Sequence, residues 1–577
     1  MLNRRQCLGA GLGAAWTGSG CGRTAPSASP IQGGFTDGQP ERGHWLRDRL
    51  HSGKPWPLPD KVFTTRVLIA GGGVAGLAAA RALRLRGMED FALLEMEDTA
   101  GGNSRGGQLG GLACPLGAHY LPLPGDDAPE VQDLLEELGL RQRMAGRWQY
   151  DDRYLCHSPQ ERLFFQGEWQ EGLLPLSGVG EETLAQYRVF ATLVEQARKA
   201  ARWTLPVQNW PLAPVKSALV AMKFIAYLDQ HGITDRHLRW YLDYCCRDDY
   251  GAGIATVSAW AGIHYFASRH GFHAPGSDAP EREGLLTWPE GNAWLTQRLA
   301  APLGERLHTG RVVVGITHNK QGVEVDAFNA VTQSLERWQA ERAVVALPLF
   351  VAARVVQNPP DVLRQAARQV VYAPWLVANI HLHSALHDRP GAAPSWDNVL
   401  FDGVKGADGA QGVGGLGYVD ATHQHLQAQP GATVLTHYRA LGDFSVGAAG
   451  GASAAGAPIG AGGRAWLLNR PWADWRDQIL AELSVAHPDL VAKTTAVDIT
   501  RYGHAMAVPI PSANGQIGFW TASNKREQLS KKERLLSRPT LTWERLHFAH
   551  SDWAGYSVFE EAFTAGHWSV SSVATLR

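Results

Sequence analysis

Two apolar runs separated by a glycine-rich turn are the clearest feature of the hydrophobic pattern. Residues 67–70 are uniformly apolar, residues 71–76 carry the turn glycines, and residues 77–86 place apolar side chains at helical spacing. A second apolar run over residues 91–94 ends at Glu95. Short, uniformly apolar runs are typical of strands that are buried on both faces of a parallel sheet. The pattern therefore predicts a strand–helix–strand unit in this segment.

Helical spacing dominates the following part of the chain, from about residue 129 to residue 270, and strand patterns return after it. Helices are predicted over residues 131–138, 183–203, 214–231, 235–244, 472–487 and 560–575. Strands are predicted over residues 311–316, 322–328, 342–347, 376–382 and 546–549. Residues 446–463 are rich in alanine and glycine, which predicts a flexible surface loop. Together these elements predict an α/β fold.

Composition and charge exclude some classes of function. The chain has 577 residues, 45% of them apolar, and a formal net charge of −1 from 54 Lys+Arg and 55 Asp+Glu. A chain this neutral lacks the basic footprint of a nucleic-acid-binding protein, and no run of about 20 apolar residues predicts a membrane-spanning helix. The 21 Trp and 64 Gly suit a stacked planar cofactor. A tryptophan-rich core with glycine loops would have the same composition.

The six cysteines show no metal-binding pattern. They contain no Cys-x-x-Cys pair and no Cys/His array, so no metal site is predicted. The adjacent Cys245 and Cys246 are expected to be buried small hydrophobic residues on a helix. If the protein is exported, a disulfide between two of Cys114, Cys156, Cys245 and Cys246 is an open alternative.

The first thirty residues have the layout of an export signal. Arg4 and Arg5 precede a short, weakly apolar run over residues 7–16, and small residues follow. This layout is typical of a twin-arginine signal, predicted over residues 1–30, with a linker over residues 31–60. A disordered basic tail is the alternative interpretation.

Export would place the protein in the periplasm, or anchored on the periplasmic side of a membrane, rather than in the cytoplasm. The twin-arginine export machinery is then an expected partner. Cys21 follows small residues and is a candidate for a lipid anchor, although the leucine usual three residues earlier is missing. Simple cleavage near residues 25–28 is an equal alternative.

The glycine turn has the spacing of a dinucleotide-binding motif. Gly71 allows a sharp turn, Gly73 lets the backbone approach a diphosphate, and Gly76 lets the helix pack closely on the strand. Val74 and Ala75 lie within the turn and are expected to contact the cofactor, and the N-terminus of the following helix then faces the phosphates.

Glu95 lies at the end of the second strand, twenty-four residues after Gly71. A carboxylate in this place accepts hydrogen bonds from ribose hydroxyls and repels a 2′-phosphate. The two features together predict a dinucleotide site that takes an unphosphorylated ribose.

The loop over residues 99–107 points to a particular family. It reads Thr-Ala-Gly-Gly-Asn-Ser-Arg-Gly-Gly and resembles the flavin amine oxidase superfamily, which includes protoporphyrinogen oxidases and carotenoid desaturases. In those proteins an acidic strand end is followed by Gly-Gly-Arg, which wraps the FAD diphosphate. This chain has Asn103 in place of the arginine and Arg105 two residues later. The resemblance implies FAD as the cofactor, held here by Gly102, Asn103 and Arg105.

Further segments extend the resemblance over most of residues 66–577. Residues 115–120 are similar to the strand and loop beside the isoalloxazine, and residues 286–292 to the segment before the adenine-side strand. Val313 occupies the position whose backbone contacts adenine in the family. Residues 343–348 match the next strand of the family.

Residues 545–552 resemble the C-terminal flavin motif Phe-Ala-Gly-x-Glu, with Asp552 as the acidic residue that reaches the ribityl chain. Downstream, both residues 553–556 and residues 559–562 resemble family motifs, but the two alignments differ by two residues. Whether Tyr556 lies over the flavin is therefore left open.

The resemblance implies a Rossmann-type FAD-binding domain interleaved with an α+β substrate domain made of a mixed sheet and helices. The FAD-binding domain is expected to comprise residues 61–128, 284–350 and 535–577. The substrate domain is expected to comprise residues 129–283, which are mainly helical, and residues 351–534.

The resemblance also implies a reaction in which a small organic substrate gives a hydride to flavin N5. The electrons would pass on to O₂, a quinone or another acceptor. Amine oxidases of this family usually place a lysine near N5, and the corresponding strand over residues 372–380 has none. This weakens the case for an ordinary amine oxidase, although an amine remains a candidate substrate. The alternative function is a flavin-binding interaction or assembly protein without turnover.

Four side chains are candidates for the catalytic site. Tyr502 is a candidate wall of an aromatic cage, and His504 a substrate contact or proton acceptor. His119 and Tyr556 are candidates from the flavin-side motifs. For the histidines, a buried and hydrogen-bonded structural role is an equal alternative.

Asp248 and Asp249 follow a predicted helix and form a further acidic pair. They could bind a cationic substrate at a cavity mouth. A helix cap with a surface salt bridge is the more frequent role of such a pair.

Overall fold

The computed structural model of the chain describes residues 30–207, 214–276, 284–402, 414–424, 431–443, 459–512, 518–519 and 541–571. The predicted export signal falls almost wholly outside the described residues. So does most of the predicted loop over residues 446–463.

Two large sheets organise the described part of the chain, and short two-stranded ribbons accompany them. The strands in chain order are β1 Gln32–Phe35, β2 Lys61–Ala70, β3 Phe91–Leu94, β4 Gly106–Leu109, β5 Leu112–Pro115, β6 Tyr120–Pro122, β7 Arg141–Met144, β8 Arg147–Tyr150, β9 Glu161–Phe165, β10 Glu168–Glu171, β11 Leu285–Thr287, β12 Leu307–His308, β13 Arg311–His318, β14 Val323–Asn329, β15 Ser334–Val345, β16 Val371–Leu382, β17 Asp397–Leu400, β18 Tyr418–Asp420, β19 Thr433–Ala440, β20 Thr494–Val508, β21 Leu541–Trp543 and β22 Leu546–Phe548.

The helices pack on the faces of these sheets and on one another. In chain order they are α1 Pro40–His51, α2 Val74–Leu85, α3 Pro129–Glu137, α4 Glu181–Ala200, α5 Pro214–Val220, α6 Phe224–Gln230, α7 Arg236–Tyr250, α8 Ala259–Ala267, α9 Ala293–Ala300, α10 Leu349–Val355, α11 Asp361–Gln369, α12 Ala461–Asn469, α13 Trp472–Ser484, α14 Leu490–Lys493 and α15 Phe559–Ser569. Short 3₁₀ helices lie at Ala301–Arg306 and Ser551–Ala554.

The first sheet, sheet I, has the strand order β12-β3-β2-β15-β14-β13, with β22 paired to the end of β15. Strands β12, β3, β2, β15 and β22 are parallel to their neighbours in this series. Ligands of such sheets bind at the carboxyl ends of the parallel strands. Gly71, Glu95 and Asp552 follow three of these strands and therefore lie along the same edge of sheet I.

Helix α2 lies on sheet I through a face of small residues. Ala78, Ala79, Ala80 and Ala82 are fully buried, together with Leu77 and Leu83. Alanine side chains allow a helix to approach a sheet closely while they pay little conformational entropy. The predicted strand–helix–strand unit is confirmed, and α2 is fixed beside the glycine turn.

The second sheet, sheet II, has the order β1-β20-β16-β19-β18-β17-β9-β10. Its central strand β16 pairs antiparallel with both β19 and β20. Leu376 and Ile380 of β16 pack with Trp475 of α13 on one face. Trp375 and Val377 face the opposite way and share a core with α7 and α8. This second face of sheet II and helices α7 and α8 therefore share one hydrophobic core.

The structure differs from the predicted elements in several places. Helix α2 begins at Val74 instead of Leu77, and the helix predicted over residues 214–231 is divided into α5 and α6. The predicted linker over residues 31–60 contains β1 and α1, so it is not a plain linker. The predicted helical region includes β9 and β10, which extend sheet II because β9 pairs with the distant β17. The predicted loop over residues 446–463 ends inside helix α12, whose described part begins at Ala461.

The described cysteines Cys114, Cys156, Cys245 and Cys246 are free thiols and are buried. Within the described residues, no helix is long and apolar enough to cross a membrane. The same residues contain no group of three or more His, Cys, Asp or Glu arranged to hold a metal ion.

Candidate active site

The turn between β2 and α2 is shaped by close backbone contacts. Gly71 has a φ of +102°, and a Cβ on it would lie 2.4 Å from the carbonyl oxygen of Ala346. A Cβ on Gly76 would lie 1.9 Å from the carbonyl oxygen of Gly71. Helix α2 begins at Val74 with Gly73 as an extended N-cap, and no described side chain caps it. Its first N–H groups are therefore available to an anion.

Helix α15 packs directly against the first turn of α2. A Cβ on Gly566 would lie 2.0 Å from the carbonyl oxygen of Ala75. The two helices thus touch backbone to backbone, and Val74 and Ala75 are held rigidly at the turn.

Glu95 lies buried beside this turn. Its Oε2 accepts a hydrogen bond from the Gly72 N–H at 2.7 Å, and its Oε1 accepts one from the Glu97 N–H at 2.8 Å. Burial raises the pKa of Glu95 to about 7, against the opposing effect of these donors and of Arg105. Each carboxylate oxygen keeps a further lone pair for a ribose hydroxyl.

Val313 lies on β13, next to the backbone of Glu95. The Arg311 N–H donates to the Glu95 carbonyl oxygen at 2.8 Å, and Val313 follows two residues later. The Val313 side chain is buried in the core of sheet I, so its backbone is the part that a ligand can reach. The adenine contact expected of Val313 stays a prediction.

A second glycine loop lies on the first. The Gly101 N–H donates to the Gly72 carbonyl oxygen at 2.8 Å, and Gly73 pairs with Gly101 in an isolated parallel bridge. A Cβ on Gly102 would lie 3.2 Å from the Gly73 Cα. The two loops therefore form one continuous backbone cradle.

Asn103 and Arg105 extend this cradle toward sheet II. Asn103 is exposed, and its Nδ2 donates to the carbonyl oxygen of Ala505 on β20 at 2.6 Å. Arg105 lies within electrostatic reach of Glu95 and Tyr502. Arg105 thus supplies the positive charge of this region, as the sequence predicts, whereas its contact with phosphate stays a prediction.

Asp552 ends the edge of sheet I as a buried carboxylate. Its Oδ2 accepts hydrogen bonds from the Leu349 N–H at 3.1 Å and from the Tyr372 hydroxyl at 2.6 Å. Burial alone would raise the pKa of Asp552, but His550 and the two donors outweigh burial and hold the pKa below its ordinary value. Asp552 is therefore ionised at neutral pH.

These residues fit FAD. The glycine cradle leaves no room for side chains, the N-terminus of α2 offers free N–H groups, and Glu95 has acceptor capacity for ribose. Asp552 supplies an ionised acceptor at the far end of the same sheet edge for the ribityl hydroxyls.

His119 lies beyond the cradle among aromatic rings. Its imidazole stacks on Tyr438 with ring centroids 4.2 Å apart, and Tyr120 and Trp396 lie 5.0 and 5.5 Å away. Burial lowers the pKa of His119 to about 3, so its ring is neutral at physiological pH. We call these four residues the aromatic chamber.

Two carboxylates lie next to the aromatic chamber. Tyr120 donates its hydroxyl to Asp248 Oδ2, and Tyr244 donates its hydroxyl to Asp397 Oδ2, both at 3.3 Å. Burial, together with the neighbouring Asp249, raises the pKa of Asp248 to about 7. The pKa of Asp397 is raised well above its ordinary value by burial and by Asp248.

Asp249 forms a direct ion pair, whereas its neighbour Asp248 is influenced by Arg269 and Arg247 only from a greater distance. Arg269 Nη2 donates to both Asp249 oxygens, at 2.9 and 3.2 Å, and both side chains are buried. Among the described residues, no Lys or Arg forms an ion pair with Asp248 or Asp397. The acidic pair is therefore not the surface salt bridge that sequence reasoning favoured, because α7 ends inside the molecule.

Tyr502 and His504, two of the predicted catalytic candidates, both lie on β20 but contact different regions. The Tyr502 hydroxyl donates to the Leu116 carbonyl oxygen at 2.7 Å, beside the chain that leads to His119. His504 stacks on Phe350 with ring centroids 4.6 Å apart and lies near Tyr372, at the Asp552 end. Burial lowers the pKa of His504 to about 4. The structure thus places Tyr502 toward the aromatic chamber and His504 away from it.

Tyr556 lies in a different environment. It is fully buried, its hydroxyl donates to Glu561 Oε1 at 2.8 Å, and its ring contacts Tyr250, Trp260 and His264. These contacts indicate a structural role, because a hydroxyl held by a buried glutamate is not free to meet a substrate. Its catalytic role stays a prediction that this geometry does not favour.

Sequence reasoning missed Asp397, Trp396 and Tyr438. Trp396 and Asp397 lie at the start of β17 and Tyr438 lies on β19, so their meeting depends on the strand order and register of sheet II rather than on a local motif. Tyr438 of β19 pairs with the buried Val377 of β16, the strand in which amine oxidases of the family usually have a lysine.

Comparison with known proteins agrees with this geometry. The sequence profile of the family described as flavin containing amine oxidoreductase matches residues 74–573. The chain is 27% identical over 323 residues to an L-amino acid dehydrogenase of Synechocystis sp., covering 53% of this chain and 60% of the relative. It is 28% identical over 351 residues to polyamine oxidase 3 of Oryza sativa subsp. japonica, covering 60% and 63%. The chain thus spans less than two thirds of the length of these relatives.

Solved structures share the fold at low identity. A putrescine oxidase bound to putrescine has a TM-score of 0.58 and 16% identity, covering 89% of this chain and 99% of that one. Cyclohexylamine oxidase from Brevibacterium oxydans has a TM-score of 0.59 and 17% identity, covering 88% and 98%. The fold is accordingly a Rossmann-type FAD-binding domain combined with mixed sheet and helices, as the sequence predicts. Because the profile match covers most of the chain and the glycine cradle, Glu95 and Asp552 fit the cofactor, this protein belongs to the flavin containing amine oxidoreductase family and its cofactor is FAD.

Proposed function

We propose that this protein is an FAD-dependent oxidoreductase that oxidises a small amine. The observation that carries the proposal is that Asp248 and Asp397 lie beside the aromatic chamber with no direct ion pair to a described Lys or Arg. Carboxylates next to aromatic rings recognise an ammonium group by charge and by cation–π attraction. A cation entering this region would replace the missing partner of the two carboxylates.

Bound FAD supplies a hydride acceptor at N5 for the C–H bond next to the substrate nitrogen. An amine must lose its ammonium proton before the nitrogen lone pair can assist the departure of the hydride. Asp248, with a pKa of about 7, can accept that proton near neutral pH. The two electrons leave the substrate as hydride, and the oxidised product is an imine that water converts to a carbonyl compound and ammonia or a smaller amine.

The aromatic chamber would hold the substrate carbon and exclude water. His119 is neutral and stacked, so it offers a flat wall without adding positive charge that would repel an ammonium ion. Tyr120 links this wall to Asp248 through its hydroxyl. The lysine usual in the family is absent from β16, so proton handling is assigned to Asp248 instead.

An anaerobic flavin-reduction screen tests the proposal. The purified protein, loaded with FAD, is mixed with monoamines, diamines, L-amino acids and porphyrinogens while the visible flavin absorption is followed. Bleaching by an amine supports the proposal, and reoxidation by O₂ or by a quinone then identifies the electron acceptor. If no amine bleaches the flavin while dithionite does, the amine proposal is overturned, and a flavin-binding protein without turnover becomes the better interpretation.

We also propose that residues 1–30 direct export through the twin-arginine machinery. The paired Arg4 and Arg5 and the weakly apolar run after them support it. Cell fractionation of the full chain and of a variant with both arginines changed to lysine tests this, with export expected only for the parent. A Cys21→Ser variant that still partitions with membranes would exclude the lipid anchor.

A further inference from the structure

Residues 32–51, which we call the N-terminal clasp, connect the two sheets of the molecule. The clasp consists of β1, a connecting segment that contains Gly38, and α1. One end belongs to sheet II and the other packs on sheet I, although the clasp precedes the first strand of the glycine motif in the chain. The function proposed above makes no use of it.

The clasp is fastened to sheet II by backbone and ionic contacts. Strand β1 pairs in parallel with β20, and the Thr36 N–H donates to the Ile499 carbonyl oxygen at 2.8 Å. Asp37 accepts hydrogen bonds from the Arg501 backbone N–H at 2.7 Å and from its guanidinium at 2.6 and 2.9 Å. The two side chains are largely buried, with 12% exposure for Asp37 and 16% for Arg501. Several charge-assisted hydrogen bonds on one carboxylate make a strong attachment.

The other end of the clasp is attached to sheet I, at the segment that follows β3. The Gln39 N–H donates to Glu97 Oε2 at 2.8 Å. Arg42 donates to the Met96 carbonyl oxygen and to Asp98, both at 2.7 Å. Helix α1 then buries Leu46 in the core of sheet I. These partners all follow β3, within three residues of Glu95.

The corner between the two attachments lies on the FAD-binding loops. A Cβ on Gly38 would lie 2.6 Å from Arg105 Nη1 and 2.7 Å from Glu97 Oε1. Glu97 in turn donates its N–H to the Glu95 carboxylate that faces the ribose. The clasp therefore touches both the cation and the acid at the nucleotide end of the FAD site.

We propose that the N-terminal clasp positions Arg105 and Glu97 for FAD and retains the bound cofactor. Because the clasp is attached to both sheets and contacts the residues that would hold FAD, loss of either attachment is expected to speed the release of FAD. A side chain at Gly38 would displace the Arg105 guanidinium or the Glu97 carboxylate. Asp37, Gly38 and Gln39 are thus positioning residues for the cofactor, acting through Arg105 and Glu97. This inference rests on FAD binding and is independent of the substrate.

Measurement of FAD release tests the proposal without any substrate. Holoprotein freed of excess flavin is diluted, and the increase of free-flavin fluorescence gives the release rate for the parent and for three variants. Asp37→Asn removes the ionic part of the sheet II attachment, Arg42→Gln removes a sheet I attachment, and Gly38→Val displaces Arg105. Each is expected to release FAD about tenfold faster, a change that corresponds to roughly 1.4 kcal/mol. Asp48→Asn, at an exposed position of α1 that pairs with Arg47 on the surface, is the matched control.

Circular dichroism in excess FAD shows whether each variant is folded. Because the three substitutions lie at separate points of the clasp, the other two variants still test the proposal if one variant does not fold. Faster release in the folded variants, with Asp48→Asn equal to the parent, supports the clasp. Folded variants of all three kinds that release FAD at the parental rate overturn it. Failure of every amine to reduce the flavin would overturn the proposed substrate and leave these rates unaffected.

Discussion

At the scale of single residues, the proposed reaction depends on Asp248. Its carboxylate accepts a hydrogen bond from Tyr120, and no described Lys or Arg pairs with it, whereas the adjacent Asp249 is compensated by Arg269. Two neighbouring residues of the same type thus differ in role because one faces a guanidinium and the other an aromatic chamber. Burial is tolerated at Asp248 because protonation removes the charge when no cation is present.

Replacement of Asp248 by asparagine is expected to lower kcat/KM for an amine by about 100-fold, since both the charge and the proton acceptor are lost. In the parent, kcat/KM is expected to rise as the pH increases through about 7, where Asp248 ionises. The variant should lose this rising limb. Steady-state kinetics over a pH series checks both effects, with Asp229→Asn, at an exposed ion pair with Arg239, as the control. An unchanged pH profile in the Asp248 variant would refute the assignment.

The same substitution has an expected effect on stability. The pKa of Asp248 is raised from 3.8 to about 7 on folding, so its favourable contribution is complete below pH 4 and is lost as the pH rises through about 7. At pH 8 the parent buries an unfavourable charge that Asp248→Asn lacks. Thermal unfolding should therefore show a Tm for the variant about 2 °C or more above the parent at pH 8. The difference should shrink at pH 5, and a variant less stable than the parent at pH 8 would contradict the raised pKa.

At the scale of elements, the cofactor site depends on how closely α15 and α2 approach. Gly566 sits against the Ala75 carbonyl oxygen, and this contact fixes the turn whose N–H groups face the diphosphate. Backbone cannot move aside as a flexible side chain can. The packing of a C-terminal helix therefore decides the geometry of a turn near the start of the described chain.

Gly566→Val is expected to destabilise the fold by about 2–3 kcal/mol through overpacking and to weaken FAD binding at the same time. Denaturant unfolding gives the loss of free energy, and fluorescence titration with FAD gives the loss of affinity. Gly125→Val, at an exposed loop position where an added Cβ meets nothing within 4 Å, is the matched control and should leave both quantities near the parental values. A Gly566 variant that binds FAD like the parent would show that this contact does not shape the turn.

Local elements were predictable from sequence, and long-range partners were not. The strand–helix–strand unit and Glu95 follow from one continuous segment, so apolar runs and glycine spacing reveal them. Strand β1 and its partner β20 are more than four hundred residues apart in the chain. The four residues of β1 do not indicate with which strand they pair. Asp397 and Tyr438 were not predictable either, because the register of sheet II brings them to the site. Asp248 was visible as a carboxylate, but its burial depends on tertiary packing.

At the scale of the whole molecule, the two sheets are connected next to the residues that would hold FAD. Tyr372 belongs to β16 of sheet II, and its hydroxyl donates to Asp552 at the end of β22 in sheet I. The N-terminal clasp makes a second connection on the opposite side of the cofactor site. Cofactor binding and the assembly of the two sheets are therefore expected to stabilise each other.

Tyr372→Phe tests this connection. Loss of one hydrogen bond to a buried carboxylate costs about 1.5–3 kcal/mol, so FAD affinity is expected to fall by roughly 10- to 100-fold. Fluorescence titration measures the affinity. Tyr418→Phe, which removes a buried hydroxyl that meets His487 in sheet II at 2.7 Å, should leave FAD affinity unchanged and controls for general destabilisation. Equal losses in the two variants would mean that Tyr372 has no particular connection to the cofactor.

The contact between Gly566 and Ala75 also has a consequence for biosynthesis. The turn that begins α2 is made early in translation, but the helix that fixes it emerges from the ribosome almost five hundred residues later. A nascent chain that lacks α15 is therefore expected to bind FAD weakly, and its glycine turn remains without cofactor until α15 has been synthesised. Flavin uptake is therefore expected only after helix α15 has been synthesised. A chain truncated before α15 should be recovered without flavin, however well its earlier parts have folded.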